Sequence, residues 1–77
     1  MPRNSEPTLN NCVRELRSAE TGMTQQMLAD RVGVTRQTIV ALEAGAYAPS
    51  LALALRVAQT FGKTVEEVFW LENKRRR

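Results

Sequence analysis

The stretch Gln25 to Ala44, QQMLADRVGVTRQTIVALEA, decides the reading of this 77-residue chain. Leu28, Ala29 and Val32 recur at helical spacing, Gly33 breaks the helix, Val34 follows, and Ile39 and Leu42 restart an apolar stripe. Two stripes joined by so short a connection must face each other. Ala29 stands where a second helix has to cross closely, and Gly33 can take the positive φ that closes a helix at low cost. Thr24 and Thr35 hold N-cap positions, where a hydroxyl satisfies a free amide. Each has its hydrophobic staple, Met23 to Leu28 and Val34 to Ile39. Caps, staples and stripes agree on one geometry, a pair of helices crossing at a tight turn.

That geometry is a helix-turn-helix, and it points to sequence-specific DNA binding. Outward from it, residues 1–7 carry two prolines and several polar groups and read as a loose arm. A first helix is predicted from about Thr8 to Ala19, burying Leu9, Val13 and Leu16 and stopping near Gly22. Cys12 sits among these residues and reads as a core side chain more readily than as a reactive thiol. The third helix ends at Gly45, AYAP forms a loop, and Ser50 caps a fourth helix from Leu51 to Phe61 that Gly62 terminates. In it Leu51, Leu53, Leu55, Val57, Ala58 and Phe61 read as core builders. Thr64 and Glu67 have capping-box spacing for a fifth helix reaching about Leu71. The expected fold is therefore all-α, a compact domain of five short helices over residues 8–73. A basic tail follows at residues 74–77, either an electrostatic clamp on phosphates or a solubilising end.

Composition narrows the function. The chain has no His, one Cys and one Asp, so neither the usual zinc ligand sets nor Ser/His and Cys/His catalytic pairs can be assembled. Glu66 and Glu67 are adjacent and point different ways on a helix, as first-turn charges favoured by the dipole rather than as a catalytic pair. No enzyme activity, metal or cofactor is expected. A lone cysteine suits a reducing compartment, and there is neither a signal-peptide core nor an apolar stretch long enough to span a bilayer, so a cytoplasmic location without membrane contact is expected. Four of the eleven basic residues form the tail; without them seven bases oppose eight acids, a net of −1. Residues 31 to 63 nevertheless hold Arg31, Arg36, Arg56 and Lys63 against Glu43 alone, a local net of +3 that favours phosphate contact around the motif.

From Met23 to Phe69, MTQQMLADRVGVTRQTIVALEAGAYAPSLALALRVAQTFGKTVEEVF, the chain resembles the phage-repressor-like helix-turn-helix regulators of the Cro and Xre type. The resemblance implies a five-helix, lambda-repressor-like domain that binds DNA through its third helix, commonly as a homodimer. Two departures stand out. The link LRSAETGMTQ is one residue longer than the family's usual spacing, and Met27 occupies a position where members often carry an acid that closes a capping box on Thr24. The resemblance further implies that Gln25 bonds a phosphate through its side chain or amide, and that Glu43 pairs with Arg17 in a partly buried structural bridge.

At roughly 100° per residue, Ile39 and Leu42 define the inner face of the third helix and Gln37, Val40, Ala41 and Ala44 the outer one. Small apolar bodies with a few hydrogen-bonding tips suit a major groove better than water. Gln37 can read adenine through N6 and N7, Arg36 can reach guanine or a phosphate, and Val40 and Ala41 can touch thymine methyls. Thr35 and Thr38 are candidates for phosphate contact, although a cap explains Thr35 fully. Tyr47 either meets a phosphate or covers the fourth helix. A domain this small makes few base contacts, so a homodimer on a palindromic or pseudo-palindromic operator of double-stranded DNA is expected. Phe69, Trp70 and Leu71 are the candidate seam, with Trp70 alternatively a lid over the monomer core. The competing reading is a protein-interaction module, either the antitoxin half of a toxin–antitoxin pair or an adaptor on the same fold.

Overall fold

Four hydroxyl caps punctuate the described residues. Thr24, Thr35, Ser50 and Thr64 each take extended backbone and accept a hydrogen bond from the amide three residues on, those of Met27, Thr38, Leu53 and Glu67. The computed structural model describes residues 8–72; the predicted arm at 1–7 and the basic tail at 74–77 lie outside them. In chain order the elements are β1 (Thr8–Asn11), α1 (Val13–Glu15), a π-helical turn (Leu16–Glu20), α2 (Gln25–Val32), α3 (Arg36–Glu43), α4 (Leu51–Thr60), α5 (Val65–Val68) and β2 (Phe69–Glu72). At α5 the Thr64 cap is reciprocal. The Thr64 amide donates to the Glu67 carboxylate at 2.8 Å, and that bond holds the Glu67 carboxyl below its ordinary range.

Leu28, Ala29 and Ile39 are fully buried where α2 crosses α3. Burial of Ala29 with no exposed surface is what a close crossing requires, since a longer side chain would hold the helices apart. Val57 and Ala58 of α4 and Val68 of α5 complete the same core. The α2 terminus is tied to α4 by Arg56, whose Nε donates to the Val32 carbonyl at 3.0 Å and satisfies one of the carbonyls a helix end leaves open. Leu51 and Leu55, read as core builders, lie instead on the outer side of α4 at 69% and 43% exposure. The buried positions are Leu53, Ala54, Val57 and Ala58, one helical stripe that the alternating LALAL run disguises.

Gly33 has φ +80° and closes α2, its amide and that of Val34 both donating to the Ala29 carbonyl. A methyl group added there would meet nothing within 4 Å, so Gly33→Ala carries backbone strain alone. The expected cost is about 1–2 kcal/mol, read as a lower urea midpoint with an unchanged slope. A midpoint equal to wild type would show that the left-handed closure is free.

Both ends of the domain depart from the expected all-α fold. Residues 8–11, predicted to begin the first helix, form a strand antiparallel to β2, with Leu9 opposite Leu71 and Asn11 opposite Phe69. The helix starts only at Val13, whose amide donates to Asn11 Oδ1 at 3.0 Å, while the Cys12 amide joins the Val68 carbonyl. Asn10 and Asn11 are poor interior helix residues because their side chains compete for backbone groups, and here Asn11 does so. Cys12 is therefore at a strand–helix junction, partly buried against the core, and that burial pushes its thiol pKa up. The fifth helix stops at Val68, not Leu71; Phe69 adopts φ −125° and ψ 139° and begins the strand. The described residues are mostly helical, with a two-stranded ribbon pairing residues 8–11 with 69–72.

The long link before α2 also has a structural answer. Leu16 to Glu20 wind as a π-helix, which takes up one more residue per hydrogen-bonded turn than an α-helix, and Gly22 at φ +67° turns the chain toward Met23. The additional residue is absorbed without moving Leu16 or Met23 out of the core.

Candidate nucleic-acid interface

The two faces of α3 are sharply divided. Ile39 and Leu42 are buried to 1% exposure or less, whereas Arg36, Gln37, Val40 and Ala44 are exposed and Ala41 is half-buried. Arg36 and Gln37 open the helix, where amide groups have no intrahelical acceptor and the dipole is positive. Arg36 and Gln37 thus present long polar side chains at the end of the helix most favourable to anions. Thr35 and Thr38 are occupied with each other: the Thr35 hydroxyl accepts the Thr38 amide at 3.3 Å and lies 3.0 Å from the Thr38 hydroxyl. Tyr47 projects from the loop after α3 with 42% of its surface exposed.

Behind this face is a polar cluster around Glu43, whose side chain is 1% exposed. Arg17 Nε donates to Oε2 at 2.6 Å and Nη2 to Oε1 at 3.1 Å, while Nη1 reaches the Met23 carbonyl at 2.8 Å. The hydrogen bond to Glu43 raises the pKa of Arg17 further above its already high value, so the guanidinium stays charged. Gln25 Nε2 donates to Glu43 Oε1 at 3.2 Å. An ionised carboxylate only accepts, so the Gln25 amide must turn its nitrogen toward it. One carboxylate thereby joins the π-turn, the first residue of α2 and the last turn of α3. Gln25 is in consequence half-buried and oriented rather than free at the surface.

Of the three residues proposed as a seam, Phe69 is in the core at 6% exposure. Trp70 and Leu71, at 44% and 61%, stand out from β2. Three polar residues at the site have contacts that the sequence did not assign to them. Asn11 Nδ2 donates to the Leu42 carbonyl at 3.0 Å and anchors the ribbon to the end of α3. Arg56 caps α2 as described, and Arg14 lies beside Glu43, its Nε 3.9 Å from Oε1. A capping asparagine is suggested by the Asn-Asn pair before Val13, but nothing local marks the other two. Among the described residues no group of three His, Cys, Asp or Glu side chains is placed to hold a metal, and no helix is long and apolar enough to cross a membrane.

A capped helix lying outermost on a closely crossed pair, its outer face small and polar-tipped, defines a helix-turn-helix domain. Comparison with known proteins agrees. The family model described as helix-turn-helix matches residues 13–68. The chain is 50% identical over 66 residues to the uncharacterized HTH-type transcriptional regulator YgzD of Bacillus subtilis, covering 86% of this chain and 98% of that protein. A second uncharacterized HTH-type transcriptional regulator, from Methanothermobacter thermautotrophicus, is 52% identical over 65 residues, covering 83% and 93%. Among solved structures, the restriction-modification controller protein C.AhdI of Aeromonas hydrophila superposes with a TM-score of 0.65 at 33% identity, over 71% of this chain and 82% of that one. The chain belongs to the helix-turn-helix family of DNA-binding transcriptional regulators, of the Xre/Cro type.

Proposed function

We propose that the protein regulates transcription by binding a palindromic or pseudo-palindromic operator as a homodimer, with α3 of each copy in the major groove. The observation that carries this reading is the outer face of α3, where exposed Arg36, Gln37, Val40 and Ala44 flank half-buried Ala41 in place of the Lys and Glu of a solvated helix. Gln37 reads an adenine, Arg36 a guanine or the adjoining phosphate, and Val40 and Ala41 contact thymine methyls. Thr35, Thr38 and Tyr47 flank these base readers on the phosphate side. Gln25, at the head of α2, contacts a phosphate through its amide groups.

Two such helices are set about 34 Å apart, one turn of B-DNA. Exposed Trp70 and Leu71 offer a surface for pairing the copies, whereas burial of Phe69 makes it a support for that surface. The controller-protein likeness and the regulator names of the relatives favour this reading over an adaptor that binds only protein.

Selection of bound sequences from a random duplex pool tests it. Wild type is expected to enrich a two-fold symmetric motif, and Gln37→Ala and Arg36→Ala each to relax one position per half-site, at a cost of about 1–3 kcal/mol per half-site. Enrichment of no motif would sink the specific-regulator reading. An unchanged motif in both variants would remove the two base contacts while leaving DNA binding intact.

A further inference from the structure

We infer that Arg14 is a phosphate-binding residue, and that it holds one DNA phosphate jointly with Gln25 over the Glu43 carboxylate. The inference rests on the DNA-binding reading above and assigns a residue that reading leaves out. Glu43 has one negative charge, and Arg17 matches it through two hydrogen bonds in a site from which water is largely excluded, with exposures of 12% and 1%. Arg14 is then a surplus cation. Its Nε stands 3.9 Å from Oε1, too long for a hydrogen bond, and 69% of its side chain is exposed. A contact of that length and exposure adds little to stability, yet it is close enough to bias where the guanidinium points.

Gln25 converges on the same oxygen. Its Nε2 donates one hydrogen to Glu43 Oε1, and an amide nitrogen carries two, so the second is aimed away from the carboxylate. Because Arg14 Nε and Gln25 Nε2 share Oε1 as neighbour, they lie within about 7 Å of each other. An anion with several oxygens on one centre can accept from both at once, and a guanidinium fork is suited to that geometry. The charge of the folded body makes such a site consequential. Residues 8–72 hold six basic and seven acidic side chains, so attraction to a polyanion depends on where cations are left unmatched rather than on net charge.

The test is a salt titration of DNA binding with the full chain, using duplexes carrying the selected site and duplexes of random sequence. Arg14→Gln is expected to make the slope of log K against log salt shallower by about 0.9, the loss of one phosphate contact. Its deficit relative to wild type is then expected to shrink about 3.5-fold between 50 and 200 mM salt. Both duplexes should weaken by the same factor, the selected motif and the melting temperature should not change, and Arg14→Lys should keep the wild-type slope. Arg14→Gln combined with Gln25→Ala should lose less than the product of the single losses, since both act on one phosphate. A wild-type slope in Arg14→Gln, or a changed motif, would overturn the assignment, as would a double variant whose losses simply multiply. Failure of the wild-type protein to bind either duplex would remove the DNA-binding reading itself and the clamp with it.

Discussion

Glu43→Ala is expected to lower the melting temperature by about 10–25 °C. Removing one partner of a buried ion pair leaves the other charged with no counter-charge, which typically costs 3–5 kcal/mol; partial exposure of Arg17 brings the expectation nearer to about 2–4 kcal/mol. In a domain of this length each kcal/mol moves the midpoint by about 4–8 °C. The substitution strands more than a charge. Arg17 keeps only the Met23 carbonyl among the partners described above, and Gln25 loses the acceptor that orients its amide. The informative control replaces both charges with apolar groups of similar bulk, Arg17→Met with Glu43→Leu, which should recover most of the lost stability. Calorimetry of the three proteins decides the matter. A Glu43→Ala midpoint within a few degrees of wild type would mean that the cluster contributes little to the fold.

Ile39→Ala is expected to remove about 2–5 kcal/mol, the range for truncating a fully buried aliphatic side chain where neighbours relax only in part. Domains of this size have about 4–11 kcal/mol in all, so the variant would be close to unfolded at physiological temperature. Urea denaturation should show the midpoint falling with little change in slope. Val40→Ala, one residue further along the same helix but on its exposed face, should stay within about 0.5 kcal/mol of wild type. The contrast between neighbours tests the division of α3 directly. Equal effects at the two positions would mean that α3 is not seated as described. Any loss of DNA affinity in Ile39→Ala should follow the folded fraction and disappear at temperatures where that fraction is restored.

What could be read in advance follows from the range of the forces involved. The four caps act over three residues, Gly33 over one turn, and the Leu28, Ala29, Val32 and Ile39, Leu42 stripes over the helical repeat, so each leaves its mark in adjacent letters. The inner and outer faces of α3 were legible for the same reason. The Arg17 and Glu43 pair spans 26 residues and entered through the family resemblance, because no local pattern links two such charges. The contacts of Arg14 and Asn11 leave no local pattern for a similar reason: Glu43 and the Leu42 carbonyl are brought near them only by the fold.

The ends of the domain show the limit most clearly. Val65 to Leu71, VEEVFWL, is a short segment with a good N-terminal cap, and periodicity over so few residues does not separate helix from strand. Thr8 to Asn11 fits either state as well. Their pairing, Thr8 with Glu72 through Asn11 with Phe69, joins segments about sixty residues apart, and each is extended because the other is there to accept its hydrogen bonds. The sequence alone determined the crossed helices, their caps and the face that α3 turns outward, since those depend on neighbours along the chain. The tertiary structure alone decided the ribbon that pairs residues 8–11 with 69–72, and which arginine bonds Glu43 in the interior and which stands exposed beside it, since those depend on neighbours in space.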